Sequence, residues 1–212
     1  MAPLIWTPKH VPEILTALWQ HLALSLSSVL IGLTVALILG IVCARRPKLY
    51  AVVLTITGVI FVIPSLALFA MLIPVMGLGA KPAVAGLSSY TLLILLRNVV
   101  TGLRGVPSDV LDAANGMGYS AWQRLLRIEL PLALPLIVSG IRIAVVTVIG
   151  VATVAAFIDA GGLGTIILMG IDQNYTEKIL VGGILAALLS TVFDVSLSSA
   201  EKAIGRWQRD GH

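Results

Sequence analysis

Residues 112–131 read DAANGMGYSAWQRLLRIELP, a polar interruption between long apolar stretches. The pattern is an acidic residue followed by two alanines, then three residues and Gly118, then nine residues and the run Ile128-x-Leu130-Pro131. Because the flanking sequence is almost entirely apolar, this interruption is the most informative stretch for the kind of membrane protein that the chain forms.

The composition is that of an integral membrane protein. Of the 212 residues, 58% are hydrophobic and 11% are charged, whereas an ordinary soluble domain has roughly 25% charged residues. Several apolar runs exceed the ~18–20 residues that a helix needs to cross about 30 Å of hydrocarbon. Strands of a membrane barrel would be shorter and would alternate in polarity. The sequence therefore predicts an all-α, polytopic transmembrane helical bundle without a soluble domain.

About five spans are predicted, at residues 19–44, 51–75, 83–103, 132–156 and 179–199. Residues 164–171 are apolar but too short to cross, so we expect a small helix at the outer surface or between spans. Residues 1–18 form an external N-terminal segment in this interpretation, residues 19–200 the transmembrane domain, and residues 201–212 a cytoplasmic tail.

Basic residues predict the orientation, because Lys and Arg in short loops are retained on the cytoplasmic side. Lys9, Lys81 and Lys178 fall on one side and Arg142 falls within a span. The other ten fall on the opposite side: Arg45, Arg46, Lys48, Arg97, Arg104, Arg124, Arg127, Lys202, Arg206 and Arg209. The N-terminus is therefore expected outside and the C-terminus inside. This asymmetry accounts for most of the net charge of +4, so no nucleic-acid partner is expected.

The sequence carries no pattern for nucleotide hydrolysis or for a metal site. A G-x-x-x-x-G-K-[ST] phosphate loop is absent, and the glycines within residues 161–164 follow an apolar helix without a strand or lysine. Cys43 is the single cysteine, and no His or Cys partner lies near it. We therefore expect no cofactor and no metal on this chain.

Two other classes of membrane protein are less well supported. A secondary transporter usually needs more spans or inverted repeats, and no repeat is visible. A membrane enzyme is disfavoured because His10, His21 and His212 lie near the chain ends or early in the first span. No Gly-x-Ser-x-Gly element accompanies them.

The polar interruption is predicted to fold as two short helices around a turn. Asp109 can cap the first helix, and Asp112 adds a favourable negative charge to its first turn. Gly116 and Gly118 then allow a sharp reversal that residues with a β-carbon would resist.

The second short helix is predicted to open with a capping box between Ser120 and Gln123 and to stop at Pro131. About ten residues span only ~15 Å, so this helix cannot cross the membrane. Its predicted faces are an apolar one with Trp122, Leu125 and Leu126 and a polar one with Gln123, Arg124 and Arg127. Amphipathicity alone also fits an ordinary interfacial helix, with Trp122 at the lipid headgroups and both arginines near anionic lipid.

The interruption resembles the signature loop of type I permeases of ATP-binding cassette (ABC) importers, with Asp112 where glutamate is usual. In that family the short helix docks on a cytoplasmic ATPase and transmits nucleotide-driven closure to the spans. The resemblance implies a type I permease fold with a coupling segment at residues 106–131. Within this segment, residues 119–127 would form the coupling helix. Gly118 would permit the turn before the helix, and Pro131 would join the helix to the fourth span. The coupling residues carried over are Asp112, Ala113, Ala114, Gly118, Tyr119, Ser120, Trp122, Arg124, Leu125, Arg127, Ile128, Leu130 and Pro131.

A narrower resemblance covers most of the chain. The stretches ELPLALPLIVSGIR at 129–142 and AAFIDAGGLG at 155–164, with the span at 179–200, look like permeases for glycine betaine, carnitine and choline. The AGGLG element also occurs in methionine importers, so a permease for methionine or another amino-acid-like solute remains the alternative. Aromatic cages commonly recognise quaternary ammonium groups, but only twelve aromatic residues occur here. Specificity is therefore expected in an external binding protein.

The resemblance implies that this chain lies in the bacterial plasma (inner) membrane, and it also implies a set of partners. They are an ATPase dimer that uses ATP and Mg, a second permease that is identical or paralogous, the external binding protein and membrane lipid.

Three residues within spans are candidates for the transport pathway. Pro64 removes a backbone hydrogen bond from the second span and should bend it, which serves either gating or helix shape. Arg142 and Asp194 can pair between the fourth and fifth spans, because an unpaired charge there is costly. Snorkelling of Arg142 and contact with substrate are the alternatives. The small residues near Gly140 and Gly182 are expected to pack inward or against a second subunit.

Overall fold

The structure is a computed structural model that describes residues 6–209, with the side chains of residues 6–205. These residues form helices joined by short turns, and no strand occurs among them. The helices are α1 (Val11–Ala44), α2 (Pro47–Val62), α3 (Ser65–Met76), α4 (Ala80–Arg104), α5 (Ser108–Gly116), α6 (Ala121–Arg124), α7 (Leu130–Ala152), α8 (Leu163–Asp172) and α9 (Thr176–Arg209). A π turn at Leu125–Glu129 joins α6 to α7.

The number of membrane-crossing helices agrees with the expectation of about five. Four helices are long and apolar enough to cross: Val11–Ala44, Ala80–Arg104, Ala121–Ala152 and Thr176–Gly205. The bent pair α2 and α3 supplies a fifth if it crosses as one broken span. The all-α membrane bundle predicted from the composition is therefore confirmed.

The second predicted span, residues 51–75, is wrong as a single helix. Its chain is divided at Pro64 into α2 and α3, whose axes differ by 99°. Proline cannot donate a backbone hydrogen bond, and the residue before a proline is pushed out of helical geometry. Ile63 accordingly has an extended backbone, with φ −62° and ψ 128°. The bend that Pro64 predicted is present, but it is a full break.

The first helix is longer than the predicted span. α1 begins at Val11, with a proline in its first turn, and ends at Ala44, shortly before Pro47. Its 34 residues correspond to roughly 50 Å, which exceeds the ~30 Å of a hydrocarbon core. Part of α1 therefore extends beyond the core, and residues 11–18 of the predicted external segment are helical.

The centre of the bundle is formed by α1, α4 and α7, with α9 packed against α7 and α8. Buried side chains from α3, α4 and α7 meet there, including Phe69, Leu87 and Val148. Small residues permit close approach inside the chain. Gly140 of α7 faces Asn98 of α4, and Gly182 of α9 faces α8, so these two positions pack inward.

The short apolar stretch predicted at 164–171 is helix α8. It follows a turn in which Gly161 and Gly162 have positive φ, 80° and 84°. The backbone N–H of Gly162 donates to Gln20 Oε1 of α1 at 3.0 Å. Since α8 packs against both α9 and α1, it lies between two long helices.

The bundle has two distinct ends. At the first, which we call the α8 end, the starts of α1 and α9 meet: the Glu177 carboxylate accepts hydrogen bonds from the backbone N–H groups of Trp6 and Thr7 at 3.1 and 2.9 Å. At the other end, which we call the coupling end, Arg45 directly follows α1 and forms a salt bridge with Glu129 of the π turn. The coupling segment therefore lies at the opposite end from α8.

Candidate functional site

The first short helix of the coupling segment is α5, and its N-terminus differs from the prediction. The residue preceding the helix is Pro107, and no side chain caps it. Asp109 is therefore not the cap but lies inside the first turn, where its charge still favours the helix dipole. Asp112 is one turn further on and does not lie in the first turn as expected. It is exposed, as is Ala113, whereas Ala114 is fully buried.

The reversal after α5 depends on one glycine rather than two. Gly118 has φ +79°, a region that residues with a β-carbon populate only at a cost. Gly116 is the last residue of α5 and has no positive φ. The Tyr119 N–H donates to Ala114 O at 3.1 Å, which closes the turn and leads the chain into α6.

The capping box predicted at the start of the second short helix is confirmed. The Gln123 backbone N–H donates to Ser120 Oγ at 3.3 Å, and the Ser120 N–H donates to Gln123 Oε1 at 2.9 Å. Two N–H groups that a helix terminus leaves without partners are thereby satisfied. The start of α6 is therefore fixed by local chemistry.

The prediction that the second helix stops at Pro131 is wrong. α6 passes through the π turn into α7, so residues 121–152 form one continuous helical span. In the π turn the Leu130 N–H donates to Leu125 O, five residues back. A helical proline clashes with the carbonyl four residues before it, and a wider turn at that point relieves the clash. Pro131 consequently sits in the first turn of α7, where a proline is tolerated.

The predicted apolar face of α6 is divided between solvent and core. Trp122 and Leu126 are exposed, at 65% and 46%. Leu125 is 3% exposed and packs against Val99 and other residues of α4 and α7. The three residues therefore do not share one face, because the π turn changes the angular position of the residues that it contains.

The other coupling residues implied by the resemblance differ in their exposure. Ser120 and Arg127 are exposed, and Tyr119, Arg124, Ile128, Leu130 and Pro131 are partly buried. The thirteen predicted coupling residues therefore lie in one continuous segment of the chain, residues 112–131, in which Ala114 and Leu125 are buried and the others are exposed or partly buried.

A buried carboxylate that the prediction did not single out lies beneath this surface. Glu129 is 7% exposed, and its Oε1 accepts from Arg124 Nε at 2.9 Å and from an Arg45 guanidinium nitrogen at 3.3 Å. Arg124 also donates to Asn115 Oδ1 at 2.6 Å. The sequence signal was an acidic residue between Ile128 and Leu130, since a carboxylate among apolar neighbours needs a partner.

A third arginine, Arg104, holds the end of α1 at the same corner of the bundle. Arg104, the last residue of α4, donates from Nε to Ala44 O and from a terminal nitrogen to Cys43 O, both at 3.1 Å. These carbonyls belong to the end of α1, where helical partners are missing. The Arg104 guanidinium also lies 4.8 Å from the ring centre of Tyr50 in α2.

The three pathway candidates lie in two different places. Arg142 and Asp194 join α7 to α9, with Nε to Oδ1 at 2.7 Å and a second bond at 3.0 Å. Glu201 lies 3.6 Å from the same guanidinium. The expected pairing between the two spans is therefore present.

Pro64 stands at the break between α2 and α3, apart from this ion pair. The Tyr90 hydroxyl of α4 donates to the carbonyl oxygen of Ile63, and the Tyr90 ring lies edge-on to Phe61 at 5.7 Å. The hydroxyl thus satisfies a carbonyl that the extended backbone at Ile63 leaves without a helical donor.

Within the described part of the chain, no group of three or more His, Cys, Asp or Glu side chains could hold a metal. The arrangement offers instead a polar surface with exposed apolar side chains at one end of a membrane bundle. With its four long apolar helices and one bent helix pair, the class of protein that this architecture defines is a polytopic membrane protein.

Comparison with known proteins places the chain more narrowly. A model of the family described as "Binding-protein-dependent transport system inner membrane component" matches residues 32–209. The chain belongs to this family and is therefore a multi-pass protein of the inner membrane.

Curated relatives are permeases for related solutes. The chain is 39% identical over 189 residues to the carnitine transport permease protein OpuCB of Listeria monocytogenes, covering 89% of this chain and 87% of that protein. It is 38% identical over 192 residues to the choline transport system permease protein OpuBB of Bacillus subtilis (strain 168), with coverage of 91% and 88%. The osmoprotectant import permease protein OsmW of Salmonella typhimurium is 39% identical over 181 residues, with coverage of 83% and 84%.

The fold is also found among solved structures. A chain of the MetNI methionine ABC transporter in an inward-facing conformation superposes with a TM-score of 0.81 at 24% identity, covering 96% of this chain and 99% of that one. This likeness shows the fold alone, which is the type I permease fold expected from the sequence.

Proposed function

We propose that this chain forms, with a second permease, the translocation pathway of an ATP-driven importer for a quaternary ammonium compatible solute such as glycine betaine, carnitine or choline. The observation that carries this proposal is the capped α5–α6 surface, which exposes Trp122 and Leu126 on a rigid base within the family-matched region. An apolar pair surrounded by polar groups at a helix start is suited to a protein groove. The solute class rests on the similarity to permeases for carnitine, choline and osmoprotectants.

The coupling end is proposed to face the cytoplasm, with the N-terminus outside and the C-terminus inside. Arg45, Arg104, Arg124 and Arg127 all lie at that end, and Lys178 lies at the α8 end. Basic residues are retained in the cytoplasm during insertion, so their distribution supports this orientation. Residues 1–18 would then form the external N-terminal segment, residues 19–200 the permease domain, and residues 201–212 the cytoplasmic tail.

The chain is proposed to bind no cofactor and to leave ATP and Mg to two separate ATPase subunits. In this scheme the thirteen residues couple the chain to the ATPase, with the exposed ones at the docking surface, and closure of the ATPases shifts the permeases between inward-facing and outward-facing states. The second permease is identical or paralogous. An external binding protein, which the family description implies in general, delivers the solute.

Solute selection is proposed to reside in that binding protein. The aromatic contact between Phe61 and Tyr90 is a single edge-on pair, and a quaternary ammonium cage needs several ring faces around the cation. The methionine alternative gains little from the MetNI likeness, because 24% identity supports the fold and not the cargo.

Reconstitution tests both parts of the proposal. The permease pair, the ATPase and the binding protein are placed in liposomes, and uptake of labelled glycine betaine, carnitine, choline and methionine is measured with and without internal ATP. We expect ATP-dependent uptake of at least one quaternary amine, without competition from methionine. Uptake driven by an ion gradient alone would identify a secondary transporter, and ATP-dependent uptake of methionine alone would overturn the solute class.

A further inference from the structure

Glu129 occupies a position that joins the docking surface to the rest of the bundle. Its backbone lies in the π turn between α6 and α7, and its side chain is buried between two guanidinium groups. One group, on Arg124, belongs to the docking helix, and the other, on Arg45, belongs to the residue that directly follows α1. A single oxygen, Oε1, accepts from both arginines.

This contact is part of a continuous hydrogen-bonded connection from α5 to the residue that follows α1. Asn115 of α5 accepts from Arg124, Arg124 donates to Glu129, and Arg45 donates to the same carboxylate. Charge-assisted hydrogen bonds of this kind are shorter and stronger than neutral ones and hold their groups in a defined geometry. Movement of α6 relative to α1 must therefore either carry Arg45 with it or break a bond to a buried charge.

The end of α1 leads directly into the broken span. Arg45 and Arg46 connect α1 to α2, which starts at Pro47 and ends one residue before the break at Ile63 and Pro64. A displacement of Arg45 therefore acts on the corner from which α2 begins. At the far end of α2 the Ile63 N–H donates to Ile60 O, and the Ile63 carbonyl accepts a hydrogen bond from the Tyr90 hydroxyl of α4.

The π turn adds a reason for motion to concentrate here. A π turn is often found at functional positions within helices, and its i to i+5 bonding interrupts the regular ladder. The turn separates the docking helix from the long α7 without a loop, so that α6 can change its angle while the chain stays helical. Glu129 is the last residue of that turn.

We propose that Glu129 is a positioning residue for energy coupling: its carboxylate, held by Arg124 and Arg45, transmits movement of the docking helix to the α1–α2 corner and so to the broken span. This inference rests on the proposed ATP-driven import, and it assigns the transmitting contact within the chain. Glu129 does not itself bind the ATPase in this proposal; the exposed residues of the coupling segment, such as Trp122, do.

Removing the carboxylate charge should uncouple hydrolysis from transport. The variant Glu129→Gln keeps the size and hydrogen-bonding shape of the side chain but loses the attraction to both arginines. Arg45→Gln removes only the connection to α1, and its side chain is 47% exposed, so it tests the same contact without a change to the buried position. Arg46→Gln is the matched control, because Arg46 is exposed and forms no salt bridge with any described residue.

The complete importer is reconstituted in liposomes with each variant, and ATP hydrolysis and uptake of the quaternary amine imported by the wild type are measured together. We expect both Glu129→Gln and Arg45→Gln to retain the ATPase and hydrolyse ATP, while solute imported per ATP falls at least about fivefold, a typical size for energetic coupling between sites. Arg46→Gln should keep the wild-type ratio.

An unchanged ratio in Arg45→Gln would overturn the proposal, and so would loss of ATPase binding in that variant, since a docking defect is a different role. If Glu129→Gln does not assemble, the result for Arg45→Gln decides. Failure of the proposed import appears separately, as a wild-type complex that shows no ATP-dependent uptake.

Discussion

Arg142 of α7 and Asp194 of α9 meet through two hydrogen bonds, 2.7 and 3.0 Å long, although 52 positions separate them in the chain. Both side chains are partly exposed, at 33% and 39%, at a position within the two spans. Charges in a membrane segment are costly unless paired or facing water. The pair therefore fixes one face of α9 against α7 and marks a polar point on the surface of the bundle.

A mutational cycle at this pair separates a structural role from a role in transport. Asp194→Leu should lower the thermal stability of the purified protein, because Arg142 keeps only the longer contact with Glu201. Arg142→Met combined with Asp194→Leu should recover most of that stability, because an apolar pair replaces an ion pair at little cost. A double variant that is stable but imports no solute would assign the pair to the pathway. Equal destabilisation by the single and double variants would contradict this account of the pair.

The turn at Gly118 provides a test with a matched glycine two residues away. A β-carbon at either Gly116 or Gly118 meets no atom within 4 Å, so crowding does not distinguish them. Gly118→Ala forces alanine into a positive φ of 79° and should cost about 1–2 kcal/mol. Gly116→Ala stays in a helix and should be neutral or stabilising by up to about 1 kcal/mol.

Chemical denaturation of the purified protein, together with retention of the ATPase on an affinity column, checks this difference. We expect Gly118→Ala to weaken both and Gly116→Ala to weaken neither. Equal effects of the two substitutions would show that the positive φ is not what the turn requires.

Prolines show what the sequence could and could not predict. Pro64 correctly indicated a bend, but it did not reveal that the chain breaks by 99° or that Tyr90 of another helix donates to the Ile63 carbonyl there. Pro74 and Pro135 lie inside α3 and α7 without dividing them. Pro131 was expected to end a helix and did not, because the π turn accommodates it. A proline therefore predicts a missing hydrogen bond, whereas its neighbours in space determine the resulting shape.

The coupling segment was predictable where its interactions are local. The capping box and the Gly118 turn use residues within a few positions of one another, and both are confirmed. Glu129 was missed because Arg45 lies 84 positions away. The division of Trp122 and Leu125 between solvent and core was also missed, because it follows from a π turn that periodicity at 3.6 residues does not reveal.

The Tyr90 hydroxyl is expected to stabilise the broken span. Tyr90 is 5% exposed, so Tyr90→Phe leaves the Ile63 carbonyl without this donor and should cost about 1–3 kcal/mol. Tyr50→Phe is the control, because no hydrogen bond from the Tyr50 hydroxyl reaches a described residue, and its ring contact with Arg104 is retained. Denaturation midpoints of the two variants give the comparison, and a Tyr90→Phe protein as stable as Tyr50→Phe would refute the role.

Trp122 of α6 and Leu125 of the π turn that follows it should respond in opposite ways to truncation. Leu125 is buried, so Leu125→Ala should destabilise the protein by about 2–5 kcal/mol through lost packing and a cavity. Trp122 is 65% exposed, so Trp122→Ala should change stability by no more than about 0.5 kcal/mol.

If Trp122 belongs to the docking surface, its truncation should release the ATPase during co-purification while the permease remains folded, because aromatic residues often dominate interface energy. Retained ATPase would instead favour the interfacial alternative, in which Trp122 lies among lipid headgroups. In that case, Trp122→Ala should weaken the binding of a peptide that spans α5 and α6 to anionic lipid vesicles.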